Sequence, residues 1–441
     1  MPVPAPRNAN YAATVVELNH FVDLPNCSNV KAAIIFGNSV IVSKDAQVGQ
    51  WGMYFSPETQ LSREFLSNNS LYRKHEYGNN DETKTGFFEE HGRVKTMKFR
   101  GHKSEGFFIP IESLLFTGAA HQVNAGDTFD TLNGIEICGK YVPKGSPVAS
   151  GTKTREASVS LEESIVEGQF RFHSDTDNLR RNAHKIQPTD IISITDKWHG
   201  TSVVIGKLLV KRELSWLERI LLRFGVPLNE SVYGLTYSSR KVIKAVNGVR
   251  KGGQDYYSGD IWGTVAKSVA DRIPNGFTLY GEIVGFTEDG AAIQKGYSYG
   301  CTPGQHEFLI YRVTMTSADG LVIELTWAQL KEFASKYGFS TVPEIYYGRA
   351  YAMFDNGVPF TDDSVEQWQS AFVQSLSTSY VKDADCPYNP KGTPAEGIVL
   401  RIDHLQSADS FKLKNFRFLE RESKELDKGE VDTETAETIT A

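Results

Sequence analysis

Thr195-Asp196-Lys197-Trp198-His199-Gly200-Thr201-Ser202 lies between two β-branched apolar runs, Ile191 to Ile194 and Val203 to Ile205. That alternation of apolar run, polar break and apolar run predicts strand, tight turn, strand. A lysine held in such a turn projects from a rigid frame, and Gly200 lets the backbone approach a ligand with no Cβ in the way. Two readings stand open at this point. Lys197 is a nucleophile that bonds covalently to a nucleotide, or it is a surface lysine at a hairpin, the commoner fate of a turn lysine.

Five later stretches bear on the choice. Tyr237-Ser238-Ser239-Arg240-Lys241 comes first. Phe277-Thr278-Leu279-Tyr280-Gly281-Glu282-Ile283-Val284-Gly285 reads as a buried strand carrying one glutamate, and Phe308-Leu309-Ile310-Tyr311-Arg312-Val313 as another apolar strand. Glu396-Gly397-Ile398-Val399-Leu400-Arg401 sets a carboxylate at the head of a third. Phe411-Lys412-Leu413-Lys414-Asn415 spaces two lysines i, i+2, on one strand face. A carboxylate inside an apolar strand is costly without a partner. Taken singly, Glu282 is read as one half of a salt bridge and Tyr311 as ordinary core, with Phe308 its rival for any stacking role.

The rest of the chain bounds the possibilities. A length of 441 residues accommodates two or three domains. The 40% hydrophobic and 23% charged content is that of an ordinary globular protein. No apolar run is long enough to span a bilayer, and the first residues lack a signal-peptide core. The four cysteines, Cys27, Cys138, Cys301 and Cys386, form no CxxC pair, which argues against a zinc site and fits a cytoplasmic location. Of the net charge of −7, the stretch Glu420 to Ala441 carries −5, from eight acidic and three basic residues. The remaining body is nearly neutral, so bulk charge does not exclude a nucleic-acid partner.

Residues 1–145 read as a β-rich module with Gly-rich turns, for which an OB-like barrel is the natural candidate. Within it, Arg93-Val-Lys-Thr-Met-Lys-Phe-Arg-Gly-His-Lys103 holds five Lys/Arg and one His. The run is either a phosphate-tracking surface or a solvated edge strand defended by lysines. Residues 146–185 are polar and read as a linker, with a short helix possible over 156–167. A second domain is expected over 186–420, with a helix from Thr326 to Tyr337, and 421–441 reads as a disordered acidic tail.

In this order the stretches resemble one superfamily, the lysine-dependent covalent nucleotidyltransferases that include ATP-dependent ligases and messenger-RNA capping enzymes. Lys197-Trp198-His199-Gly200 has the KxHG form of RNA ligases, with His199 where some members carry aspartate. Trp51-Gly-Met-Tyr-Phe-Ser-Pro-Glu-Thr-Gln-Leu-Ser62, Asn68-Asn69-Ser70-Leu71-Tyr72-Arg73 and Ser104-Glu105-Gly106-Phe107-Phe108 resemble the N-terminal OB module of ATP-dependent RNA ligases that seal breaks in duplexes. The resemblance implies an α+β chain: an N-terminal OB-like β-barrel, then a nucleotidyltransferase domain of antiparallel sheets with flanking helices.

It also implies a chemistry. ATP and Mg²⁺ (or Mn²⁺) are the expected cofactors. The partner is RNA, or an RNA-containing duplex, with 3′-OH and 5′-phosphate ends, sealed by a monomer without membrane attachment. Lys197 is the expected nucleophile and Glu396 the metal carboxylate. Glu282 binds the ribose, Tyr311 stacks on adenine, Arg240 meets ribose or phosphate, and Lys412 and Lys414 grip phosphates. His199 and Gly200 complete the nucleotide site. A capping-type guanylyltransferase and a non-catalytic OB nucleic-acid-binding protein are the alternatives.

Overall fold

The computed structural model describes residues 3–143, 157–251, 257, 259–355, 357, 361, 364–381 and 383–430. The chain divides into two compact units, Met1–Lys144 with Phe416–Glu430, and Gly145–Asn415 with Val431–Ala441.

The first unit is β-rich, as its short apolar runs predict. A four-stranded antiparallel sheet runs in the order Thr128–Phe129, Ala13–Leu18, Gln50–Phe55, Phe107–Pro110. Phe21–Val22, Val30–Ile35 and Asn38–Ser43 make a three-stranded meander. Met53, Phe55, Phe65, Leu114 and Phe129 are the centre of one core, and Leu18, Val40 and Tyr54 belong to another.

The basic run 93–103 forms a hairpin, Thr96–Phe99 with His102–Glu105. Four of its five Lys/Arg contact the C-terminal helix Phe416–Asp427 within the unit. The Arg93 side chain is 0% exposed; it reaches Glu58 Oε2 at 3.1 Å and also binds Asp427. Arg93 donates to the Ser423 carbonyl at 2.9 Å. Lys95 pairs with Asp427 at 2.8 Å, and the ammonium groups of Lys98 and Lys103 sit over the Phe416 ring. Arg93 is therefore neither a phosphate-tracking nor a solvated edge residue but a buried ion-pair partner, whereas Lys98 and Lys103 are exposed.

The same helix corrects the expectation of a disordered tail from residue 421; residues 431–441 lie outside the described residues. Phe416, Phe418 and Ser423 are buried within a charged sequence. Arg421–Glu425 and Glu420–Lys424 pairs one helical turn apart support it. Composition alone reads such a stretch as solvated because only three residues carry the packing.

The expected linker is also corrected from residue 157 onward. Residues 157–162 are helical, and Leu161, Ile165 and Phe170 are buried in a core with Val204, Leu208 and Tyr280. Isolated apolar residues in a polar run do not register as periodicity, yet each fills one site on a sheet. The helix considered over 156–167 is realised in its first half; residue 156 lies outside the described residues.

The second unit contains two mainly antiparallel sheets. Its principal strands are β1 (Ile191–Lys197), β2 (Thr201–Lys211), β3 (Ser231–Ser238), β4 (Phe277–Gly285), β5 (His306–Thr316), β6 (Glu344–Arg349), β7 (Gly397–Asp403) and β8 (Ala408–Lys414). The five-stranded sheet runs Asp177–Asn178, β8, β7, β1, β6. The larger sheet runs Val249–Arg250, Ile243–Val246, β3, β2, β4, β5, Val322–Glu324, with Ser340–Thr341 beside β5. Helices Ile261–Val269, Trp327–Tyr337 and Val365–Tyr380 accompany the sheets. The helix expected at Thr326 begins there, with a capping box between Thr326 and Gln329.

Strand, turn, strand is right for the opening octapeptide, but the hairpin is not. β1 pairs with β6 and β7, while β2 pairs with β3 and β4. Lys197 to Gly200 is therefore the point where the chain leaves one sheet and enters the other.

Candidate active site

Lys197 ends β1, opposite Gly397 of β7, which is opposite Lys414 of β8. Two lysines thus flank a glycine across three strands. A Cβ on Gly397 would meet the Leu413 carbonyl and come within 2.9 Å of Lys414 Cα, and its φ of +148° suits glycine. Phe411 and Leu413 face the core while Lys412 and Lys414 share the other face, as the i, i+2 spacing predicts.

Glu396 precedes β7 and is 2% exposed. Its Oε1 lies 2.7 Å from Lys197 Nζ and 3.5 Å from Lys414 Nζ, and Oε2 lies 4.0 Å from His199 Nδ1. Burial works against the carboxylate charge, but Lys197, Lys414 and His199 outweigh it and hold the carboxyl below its ordinary value. Among the described residues, Oε2 is buried with no hydrogen-bond partner.

Glu282, on β4, is buried and faces the turn. Its Oε1 accepts from the Gly200 N–H at 3.0 Å, and its Oε2 accepts from the Ser202 hydroxyl at 3.3 Å. Gln294 Nε2 donates to the Gly200 carbonyl at 2.7 Å, so the turn is clamped on both backbone groups. A Cβ on Gly200 would collide with Ile283 O and lie 2.8 Å from Val284 Cγ1. The glycine is required by the closeness of β4.

Arg240, just after β3, donates to Asp175 Oδ1 from both Nη2 at 2.7 Å and Nε at 3.3 Å. Burial pushes the Asp175 carboxyl up, but Arg240, Lys241 and Lys412 together bring it below its ordinary value. Arg240 and Lys412 are thereby neighbours around one carboxylate, although they come from different sheets. Tyr311 packs against the core that includes Val204 and Tyr280. Val204 is two residues from Ser202, and so on the Glu282 face of the sheet. Phe308 pairs with Ile283, one residue from Glu282, and takes the opposite face. The two aromatic rivals therefore lie on opposite faces of the sheet, with Tyr311 on that of Glu282.

Sequence reasoning missed Asp175, which lay inside the supposed linker, and a group of rings beside the turn. Trp198 stacks on Tyr299 at 4.3 Å and 13°, Tyr388 leans on Trp198 at 5.4 Å, and Tyr297 meets His199 edge-on at 5.0 Å. These rings come from separate loops, so no spacing signals them; the only cue is the run Tyr297-Ser298-Tyr299 in a Gly-rich segment. Among the described residues no three His, Cys, Asp or Glu side chains gather as a metal cage, and no helix is long and apolar enough to cross a membrane.

Two antiparallel sheets joined through a lysine turn, with paired lysines and a buried glutamate at that turn, have the organisation of a covalent nucleotidyltransferase domain. The chain belongs to the RNA ligase family, whose sequence profile matches residues 190–414, just over half of its length. Its fold is similar to that of Naegleria gruberi RNA ligase. For a lysine-to-methionine variant of that enzyme with AMP and Mn, identity is 15%, coverage 93% of this chain and 98% of that one, and TM-score 0.55. A lysine-to-alanine variant with ATP and Mn gives 14%, 93%, 98% and 0.55. A different lysine-to-alanine variant, also with ATP and Mn, gives 13%, 95%, 99% and 0.54. No curated protein matches the chain.

Proposed function

We propose that this chain is an ATP-dependent RNA ligase that joins a 3′-OH end to a 5′-phosphate end through lysyl–AMP and RNA–adenylate intermediates. The observation that carries the proposal is the meeting of Lys197, Lys414 and His199 on one buried carboxylate, at the point where two sheets join. In the first step Lys197 Nζ attacks the α-phosphorus of ATP. An N–P bond forms, the bond to the β-phosphate oxygen breaks, and pyrophosphate leaves. A free lysine is protonated up to about pH 10.4, so the amine must give up a proton before it attacks. In the second step an oxygen of the RNA 5′-phosphate takes the adenylyl group and the N–P bond breaks, returning the amine. In the third the 3′-hydroxyl attacks the 5′-phosphate and AMP leaves.

Each step shifts negative charge among phosphate oxygens, so fixed cations aimed at those oxygens lower the barrier. Lys414 and Lys412, which share the face of β8 away from the core, are the candidates for that work. Glu282 orients the turn through the Gly200 N–H and is the candidate ribose acceptor; Tyr311 is the candidate adenine stack. Arg240 meets ribose or phosphate, held meanwhile by Asp175.

A divalent cation suits the donor set. Mg²⁺ commonly binds one or two carboxylates and completes its shell with waters and substrate phosphates, so a single buried carboxylate suffices without a protein cage. Glu396, with its unpartnered Oε2, would hold Mg²⁺ or Mn²⁺, with His199 beside it. When bound, that cation would neutralise charge developing on the transferred phosphate. Naegleria ligase variants that the fold resembles carry ATP or AMP with Mn, which agrees with this cofactor choice.

The substrate in this proposal is RNA or an RNA-containing duplex, sealed at nicks in RNA repair by a monomer in the cytoplasm. The N-terminal unit, β-rich and OB-like, grips the duplex, and 2′-hydroxyls beside the break distinguish RNA from DNA. The test is incubation with α-labelled ATP and Mg²⁺, then denaturing electrophoresis. Labelling is expected on Lys197 and is expected to vanish in Lys197→Ala. Labelling from GTP in place of ATP would assign a capping guanylyltransferase, and no labelling at all a binding protein.

A further inference from the structure

Beside the reacting lysine stands a wall of aromatic rings for which the proposed adenylylation has no use. Trp198, one residue on from Lys197, stacks on Tyr299, and Tyr299 stacks in turn on Tyr297 at 5.9 Å and 29°. The inner rings are fixed. Tyr299 holds a left-handed φ of +48°. Asn389 Oδ1 accepts from both the Ser298 N–H at 2.7 Å and the Tyr299 N–H at 2.9 Å. The Tyr299 hydroxyl accepts the His199 N–H at 2.6 Å, and the Tyr297 hydroxyl donates to the Pro394 carbonyl at 3.0 Å. Tyr297 and Tyr299 are 3% and 6% exposed, whereas Tyr388, at the outer end of the wall, is 47% exposed.

An aromatic group serving only as packing would be enclosed on all sides. This one is rigid within and open without, and leaving a ring face in water forgoes the gain of burying it. Rigid, half-open aromatic faces are the surfaces on which unpaired or terminal nucleobases stack. In the ligase reading above, the adenine of ATP is assigned to Tyr311, on another strand. We propose that Trp198 and Tyr388 form a stacking platform for a nucleobase of the RNA flanking the break, positioning the strand end against Lys197. The proposal rests on the ligase reading above and adds to it the residues that receive the RNA.

The test uses the full-length protein and nicked RNA duplexes in which the nucleotide on one side of the break, or on the other, lacks its base. Wild-type protein should lose apparent affinity for one of these two substrates by roughly 5- to 150-fold, the range expected for one base stacked on an aromatic ring. Tyr388→Ala and Trp198→Ala should raise KM on the intact duplex by a comparable factor, with no further loss on the abasic one. Tyr388→Phe and Trp198→Phe should restore the intact-duplex KM, which a merely structural defect would not permit. An oligoribonucleotide should also quench part of the tryptophan fluorescence, and that part should be missing in Trp198→Phe. Abasic substrates sealed as well as intact ones, or base and ring losses that multiply independently, would overturn the platform. The two proposals fail separately. Absence of lysyl–AMP in the wild type removes the ligase reading, while the fluorescence measurement judges the platform without any catalysis.

Discussion

Replacing Gly200 by alanine tests whether the turn must sit where β4 holds it. The added methyl would collide with the Ile283 carbonyl and lie 2.8 Å from Val284 Cγ1 and 2.9 Å from Glu282 Cγ, where ordinary contacts begin at 3.4 Å. Ile283 cannot yield, because it is paired with Thr201 on one side and Phe308 on the other. The turn must therefore retreat, and relieving the carbonyl clash takes about 1 Å, since overlap on that scale strains a packed core. Retreat lengthens the Gly200 N–H bond to Glu282 and carries Lys197 with it. Overpacking of this kind costs about 1–3 kcal/mol in stability. A nucleophile misplaced by about 1 Å loses on the order of 100-fold in rate. Single-turnover lysyl–AMP formation with labelled ATP should accordingly slow about 100-fold, while Tm falls by about 2–4 °C per kcal/mol lost. Gly259→Ala is the control, since its methyl meets no atom within 4 Å among the described residues. A Gly200→Ala protein that forms lysyl–AMP at the wild-type rate would refute the claim that this close approach positions the lysine.

Two further outcomes follow from the same geometry. A carboxyl held below its ordinary value of 4.5 in the fold, as Glu396 is, adds stability that is complete above that value and lost as pH falls through the lowered one. The melting temperature of Glu396→Gln should therefore converge on that of the wild type below pH 4.5, with labelling reduced at every pH; parallel curves would contradict the ion-pair account. A fragment of residues 145–415, the main segment of the second compact unit, should form lysyl–AMP. One beginning at residue 180 should not, because it lacks Phe170 of the core and Asp175, the partner of Arg240; equal yields from the two would show that 145–179 is a linker after all.

The amino-acid sequence by itself determined the strands that bear the chemistry and which face each side chain takes. Alternation along Phe411-Lys412-Leu413-Lys414 turns two residues inward and two outward whatever the strand later pairs with, because the period of two is a property of the backbone. The helix at Thr326 was equally legible, since its cap and the Gln329 that answers it are three residues apart. Tertiary structure alone decided the rest. That β1 and β2 part into different sheets depends on which strands bid for their edges, and those lie up to some 200 residues away. For the same reason the contacts of Glu282 to the Gly200 N–H and the Ser202 hydroxyl were not legible, since they depend on the pairing of β4 with β2. The helix Phe416–Asp427 looked solvated because its charges outnumber its apolar residues, and only the Arg93 guanidinium and the Phe416 pocket beneath Lys98 and Lys103 reveal where it belongs. Local pattern fixes the direction in which a side chain points; what it points at is set by long-range pairing, which no spacing in the chain encodes.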